Sequence, residues 1–402
     1  MSNRPRADVT IIGGGIVGLA TAHALLERGV EAVRVLEKES AVAQHQSTHN
    51  SGVLHAGLQY APGSEKARLA RVGIRRMTEF CRHHGIAHDI CGKLVVATDT
   101  SELPRLTSML ERGGENGLEG LKLLAPEEAG EIEPHVRCVG AILVPEEGIA
   151  DYAEVCRVLR REVESKGGEV ICGAEVHRLV REDIGWRIVV SNGEVTTRVL
   201  VNCGGLYSDR IAAMAGSAPT SRILPFRGEY LRLRPEREHL VRHLIYPLPE
   251  PGFPFLGVHF TRRITGGIDA GPNAVLAFSR EGYDRTTLHL RDLFEALTFP
   301  GLWRFTYRHR RMVVRELAQS FNSARFVAAL QRLVPEVQAD DLIAGGSGVR
   351  AQAVAPSGDF VHDFLWMESP GAVHAINAPS PAATASLAIG EEIALRAMRH
   401  LS

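Results

Sequence analysis

A short apolar run, Val9-Thr10-Ile11-Ile12, breaks into Gly13-Gly14-Gly15-Ile16-Val17-Gly18 and then into a helix-patterned stretch from Leu19 to Glu27. This order of strand, glycine turn and helix constrains the fold more than any other feature of the chain. A second strand, Ala32 to Leu36, ends at Glu37, nineteen positions beyond Gly18, the spacing at which an acid meets an adenosine ribose. Each glycine has its own expected task. Gly13 allows the tight turn, Gly15 lets the backbone approach a pyrophosphate, and Gly18 lets the helix pack closely on the strand, so that the helix N-terminus can hold a diphosphate.

The chain has 402 residues, 45% hydrophobic and 23% charged, which suits a globular protein with two cores rather than a disordered one. A formal net charge of −1 excludes the basic excess of a nucleic-acid binder. The six cysteines are scattered, without a C-x-x-C pair or a histidine at metal-ligand spacing, so they read as reduced thiols with no metal site. The first residues, Met1 to Arg6, lack an apolar signal region, and no stretch approaches the roughly 18 apolar residues of a membrane span. A cytoplasmic protein is expected.

The polar stretch Gln44 to Gly52 is costly to bury without a polar partner, and a phosphate- and ribityl-bearing cofactor would be that partner. A helix is expected over Ser64 to His84, a strand over Lys93 to Ala97, and a helix opening at Asp151. A strand at Glu169 to Cys172 and a meander through Val176–Val180, Trp186–Val190 and Val199–Asn202 close on a second nucleotide-facing turn, Cys203 to Ser208. Arg222 to Gly282 reads as an antiparallel sheet carrying the substrate region, and Thr286 to Pro335 as helix. Leu342-Ile343-Ala344 reads as a strand before a glycine-rich turn, Gly345 to Arg350. Val373 to Asn377 reads as a strand, and Ala378 to Gly390 as a turn into a helix with proline in its first turn.

Several long blocks carry a more specific signal: His49 to Gly57, Pro225 to Tyr230, Ile245 to Pro247, Pro254 to Thr261, Gly271 to Phe278, Arg280 to Tyr283, Gly348 to Gln352 and Asn377 to Ala385. Through these the chain resembles the FAD-dependent D-amino-acid oxidase superfamily, and within it the L-2-hydroxyglutarate oxidase/dehydrogenase family. It departs from that family at Gln59-Tyr60, where two tyrosines are common, and at Arg315-Glu316-Leu317, where a Glu-Met pair is common. The resemblance implies an α/β fold: a Rossmann-like FAD-binding domain (1–88, 145–215 and 340–402) with an inserted antiparallel-sheet substrate domain (89–144 and 216–339). It also implies oxidation of a 2-hydroxy diacid to the 2-keto diacid, hydride passing to flavin N5 while a base takes the hydroxyl proton. The FAD is expected to be non-covalent, with O2 or a membrane quinone as final electron acceptor.

The cofactor is expected to meet Gly13, Gly15, Ile16, Val17, Gly18, Glu37, Lys38, Gln46, Ser47, Thr48, Asn50, Ser51, Gly52, Val176, Gly204, Gly205, Ser208, Gly348, Pro381 and Ala382. Arg350 is the expected carboxylate grip, because a planar guanidinium binds bidentately where lysine cannot. His55 and His259 are the two base candidates, the second of them binding the distal carboxylate or the developing alkoxide. Tyr230, Tyr246, Arg227 and Asn377 are further substrate-binding candidates. The run Leu297 to Val314 joins aromatics with Arg304, Arg308, Arg310 and Arg311 and contains no acid, which suits peripheral contact with the inner face of a membrane as well as a solvated basic face. Two other readings remain: an amine oxidase of the glycine or sarcosine type, which needs no second carboxylate pocket, and a non-catalytic dinucleotide-binding protein.

Overall fold

The structure is a computed structural model that describes residues 6–249 and 257–401. Pro254, Phe255 and Leu256 of one family-like block lie outside the described residues.

An eight-stranded sheet is built around Ala7–Ile12, which runs parallel to Val33–Leu36 on one side and to the end of Gly193–Asn202 on the other. Val9 and Ile11 are fully buried, as expected of a parallel strand covered on both faces. The helix Ile16–Glu27 is apolar almost all round, and accordingly it is sandwiched between Tyr152–Ser165 and the C-terminal helix Ser386–Arg399. Close approach to the latter requires Gly390, where an added Cβ would lie 2.5 Å from the Ala20 backbone. Glu169–Ile171 and Ala372–Asn377 complete the parallel set, and the hairpin Val176–Arg181 and Trp186–Val190 extends it antiparallel.

The second sheet has nine strands, among them Arg222–Leu233, Leu244–Pro247, His259–Arg262 and Ile268–Gly271. It is mixed rather than antiparallel throughout. Leu244–Pro247 runs parallel to Lys93–Ala97, because those two strands come from separate stretches of chain and no hairpin fixes their direction. A small sheet of Val53–Leu54, Gly148–Ala150 and His88–Asp89 joins the two halves, and one apolar cluster extends from Leu19 through Leu54 and Ile149 to Tyr246.

Three local expectations are corrected. Gly345 to Arg350 is not a turn but the middle of one strand, Leu342–Val354, paired along the whole of Arg222–Leu233. Gly345 and Gly348 admit neighbouring backbone: a Cβ on Gly348 would lie 2.2 Å from the His49 carbonyl oxygen. Because this strand belongs to the second sheet, the chain returns to the first sheet only from Leu365 onward, not from 340. The final helix begins at Ser386, so Pro379 and Pro381 lie in the preceding turns, where Ala382 N–H donates to the Pro379 carbonyl and Ala385 N–H to that of Pro381. The helical stretch after Thr286 is broken into Leu290–Leu297, Pro300–Arg308, Arg310–Phe321 and Ser323–Gln331.

Candidate active site

A cavity of about 1380 Å³ runs between the two sheets from the glycine turn toward His55, His259 and Arg350. That exceeds the roughly 300–1,000 Å³ usual for a small-molecule pocket. At its nucleotide end Gly13 has φ +111°, and a Cβ there would lie 2.4 Å from the Cys203 carbonyl oxygen. Helix Ile16–Glu27 starts at Gly15 without a side-chain cap of its own, and the Ser47 hydroxyl accepts the Ile16 N–H at 2.9 Å. Glu37 is buried; one carboxylate oxygen accepts Gly14 N–H at 2.7 Å and the other Glu39 N–H at 2.9 Å. A carboxylate has about four acceptor sites, so capacity for a ribose hydroxyl remains.

Gly13, Gly15, Ile16, Val17, Glu37, Lys38, Gln46, Ser47, Asn50 and Ser51 line the cavity, as do Val176, Gly204, Gly205, Gly348, Pro381 and Ala382. Gln46 also ties the polar loop to the second sheet, its Oε1 accepting Ala351 N–H at 2.8 Å. The helix N-terminus, the glycine floor, the buried acid and the hydroxyl-rich wall together fit the diphosphate and ribose chemistry of FAD.

Four of the expected cofactor residues do not line the cavity. Gly18 acts by packing, since a Cβ there would lie 2.0 Å from the Gly13 carbonyl oxygen. The Thr48 hydroxyl donates to the Ala43 carbonyl at 2.7 Å, Gly52 N–H donates to Asn50 Oδ1, and the buried Ser208 hydroxyl donates to the Ile376 carbonyl. Two expected substrate residues are likewise set aside. The Arg227 guanidinium donates to Glu229 at 3.1 Å and to the Asp284 carbonyl at 2.7 Å. Asn377 is buried between Ala353 N–H and the carbonyls of Val361 and Asp363, so both N–H donors and the carbonyl oxygen are engaged by backbone.

At the far end the cavity is walled by His55, His259, Arg350, Tyr230 and Tyr246. Arg350 projects beside Gly228, where a Cβ would lie 2.9 Å from Nη1, and that nitrogen donates to the Asn273 carbonyl at 3.3 Å. His259 opens its strand, stacks on Tyr246 at 3.9 Å between ring centroids, and bonds the Gly257 carbonyl through Nδ1 at 2.8 Å. That bond requires the proton on Nδ1 and leaves Nε2 an acceptor. Burial pushes the His259 imidazole down to about 3, against the Gly257 bond and reinforced by the like charges of Arg350, His55 and Lys93. Burial raises the phenols of Tyr230 and Tyr246, so both remain protonated donors.

His55 is held differently. Its Nδ1 lies 3.3 Å from Glu147 Oε2, the same oxygen receives Lys93 Nζ at 2.5 Å, and Glu147 Oε1 accepts Ala56 N–H at 3.0 Å. Burial alone would raise the Glu147 carboxyl, but Lys93 and then His55 outweigh it and hold it down at about 2. Neither Glu147 nor Lys93 is among the residues singled out in the sequence. The one available signal was an acid placed between the apolar runs Ala141–Val144 and Ile149–Ala150.

The chain matches the family described as DAO, FAD dependent oxidoreductase, over residues 8–396. It is 46% identical to L-2-hydroxyglutarate dehydrogenase of Indibacter alkaliphilus, covering 95% of this chain and 96% of the relative. It is 44% identical to the Escherichia coli K12 protein of that name, with 96% and 92% covered, and 42% identical to the mitochondrial one of Bos taurus, with 96% and 88% covered. Among solved structures, FAD-bound L-alpha-glycerophosphate oxidase of Mycoplasma pneumoniae superposes with a TM-score of 0.80 at 21% identity, covering 98% of this chain and 95% of that one. Glycine oxidase of Geobacillus kaustophilus gives 0.74 at 19%, with 98% and 95% covered. These two likenesses speak for the fold.

Proposed function

The chain belongs to the DAO family of FAD-dependent oxidoreductases, and from that premise we infer that it oxidises L-2-hydroxyglutarate to 2-oxoglutarate. The observation that carries this reading is the match to proteins of that one activity along nearly the whole chain. FAD, when bound, supplies the two-electron acceptor for the hydride leaving the substrate carbon.

The residues of the chamber divide the remaining work. Arg350 grips the carboxylate next to the reacting carbon and so fixes the direction of its C–H bond. His55 takes the hydroxyl proton on Nε2. Its imidazolium is then balanced through Nδ1–H by Glu147, whereas protonated His259 would be buried beside Arg350 without a counter-charge. His259 stays neutral, an acceptor with no proton to offer a carboxylate. Tyr230 and Tyr246 donate. As the proton and hydride leave, the carbinol becomes the ketone.

Anaerobic addition of L-2-hydroxyglutarate to the holoprotein is expected to bleach the visible flavin band, and D-2-hydroxyglutarate and glycine to leave it unchanged. Bleaching by glycine alone would transfer the protein to the amine oxidases. The FAD is expected to be held without a covalent bond, and acid precipitation of the same sample should then leave the yellow colour in the supernatant.

The exposed surface supports one choice of electron acceptor. Leu290 is 75% exposed, Phe294 68%, Trp303 56% and Tyr307 76%, all on consecutive helices that also carry Arg291, Arg304, Arg308, Arg310 and Arg311. Exposed apolar side chains on helices that also carry arginines suit an anionic membrane interface, and a quinone dissolved there is the acceptor we favour over O2. Arg308 is partly occupied by Asp359. No helix among the described residues is long and apolar enough to cross a membrane. Sedimentation with phosphatidylserine vesicles at low salt should carry the protein down, and the Arg308/Arg310/Arg311→Ser triple variant should remain in solution. Equal, weak sedimentation of both would make the surface an ordinary one.

A further inference from the structure

Lys66 lies in the wall of the same cavity, in the first turn of the helix Glu65–His83. A cation there is opposed by the helix dipole. Among the described residues no carboxylate lies within salt-bridge distance of its ammonium, whose hydrogen bond goes to the His362 carbonyl at 3.3 Å. The nearest acid, Asp363, is already committed to backbone: it accepts the N–H groups of Glu65, Lys66 and Phe364 at 3.0, 2.8 and 2.8 Å. Burial pushes the ammonium down to about 8, Asp363 only partly opposing it. A part-buried cation set against a helix dipole and without a salt-bridge partner favours an anion arriving in the cavity.

Its place in the chamber says which anion. Lys66 Nζ stands 4.8 Å from the centre of the Tyr60 ring. Tyr60 lines the same cavity and lies within reach of the charge of Glu147, the carboxylate that holds His55. Tyr246 then leads to His259 and His55, at 3.9 and 6.3 Å between ring centroids, and the charge of Arg350 reaches His259. Arg350, Lys66 and the two histidines thus line one cavity. A five-carbon 2-hydroxy diacid carries one carboxylate for Arg350 and a second that neither neutral His259 nor the proton-accepting His55 can neutralise. Resting on the activity inferred above, we propose that Lys66 binds the distal carboxylate of the diacid and is the residue that distinguishes diacids from 2-hydroxy monoacids.

Holoprotein, Lys66→Met and Lys66→Arg should be compared with L-2-hydroxyglutarate and with L-2-hydroxyvalerate, in which a methyl group replaces the distal carboxylate. Two readouts are needed: the rate of anaerobic flavin reduction, and equilibrium binding of glutarate against valerate from the flavin difference spectrum. Lys66→Met is expected to weaken glutarate and L-2-hydroxyglutarate on the order of 30-fold or more, the scale for losing one partner of a desolvated charge pair, while the monoacids change less than about threefold. Lys66→Arg should restore part of the diacid preference. Equal losses for diacid and monoacid with an altered flavin spectrum would place Lys66 against the flavin and overturn the proposal, and so would wild-type discrimination in Lys66→Met. If L-2-hydroxyglutarate fails to reduce the wild-type flavin, the activity itself is wrong, and that outcome is distinct from both.

Discussion

Glu147→Gln is expected to destabilise the protein by about 3–5 kcal/mol at neutral pH, because it leaves Lys93 buried with no counter-charge. The same change should slow flavin reduction by about a hundredfold, the lower end of a general base's contribution, since the His55 imidazolium loses its balancing carboxylate. The acid response follows from the depressed carboxyl. Glu147 sits at about 2 in the folded protein against 4.5 ordinarily, so its stabilising contribution is complete above pH 4.5 and is lost as pH falls through about 2. Urea unfolding across that range should therefore show wild type converging on the variant as pH drops. Removing both partners, Glu147→Gln with Lys93→Met, should recover much of the stability but not the reduction rate. An unchanged midpoint at pH 7 in the single variant would dismiss the buried pair, and an unchanged reduction rate would dismiss His55 as the base.

Arg350→Lys keeps the charge and loses the planar fork, so flavin reduction by L-2-hydroxyglutarate should fall by about 2–4 kcal/mol in transition-state terms while FAD content stays near wild type. The pairing of its strand with Arg222–Leu233 sets the residue opposite Phe226, two positions before Gly228, whose missing side chain leaves room for the guanidinium. Lysine would place one ammonium where two parallel donors are needed, and alignment of the C–H bond should suffer along with affinity. Stopped-flow reduction decides it. An unaltered rate and affinity would remove Arg350 from the substrate, and lost flavin would make it a cofactor residue.

Local physics wrote much of the nucleotide end into the sequence. The apolar period of Val9 to Ile12, the glycines that follow and the acid at Glu37 all act within about thirty residues, so their spacing alone specified strand, turn and helix. The same letters misled where one residue type serves two purposes. Glycine signals both a turn and a close backbone approach, and at Gly345 and Gly348 the second applies, which spacing cannot reveal without knowing that the His49 backbone lies 2.2 Å from where a Cβ on Gly348 would stand. Arg227 and Asn377 have the polarity of ligand residues, and only their tertiary neighbours show that backbone and Glu229 consume it. The sequence by itself therefore determined the dinucleotide half of this protein and named both histidines and Arg350. The tertiary structure decided which histidine has a carboxylate behind it. His55, Lys93 and Glu147 are far apart in the chain; the small sheet brings Val53–Leu54 beside Gly148–Ala150, and the second sheet pairs Lys93–Ala97 with Gly140–Val144, so that the three side chains meet.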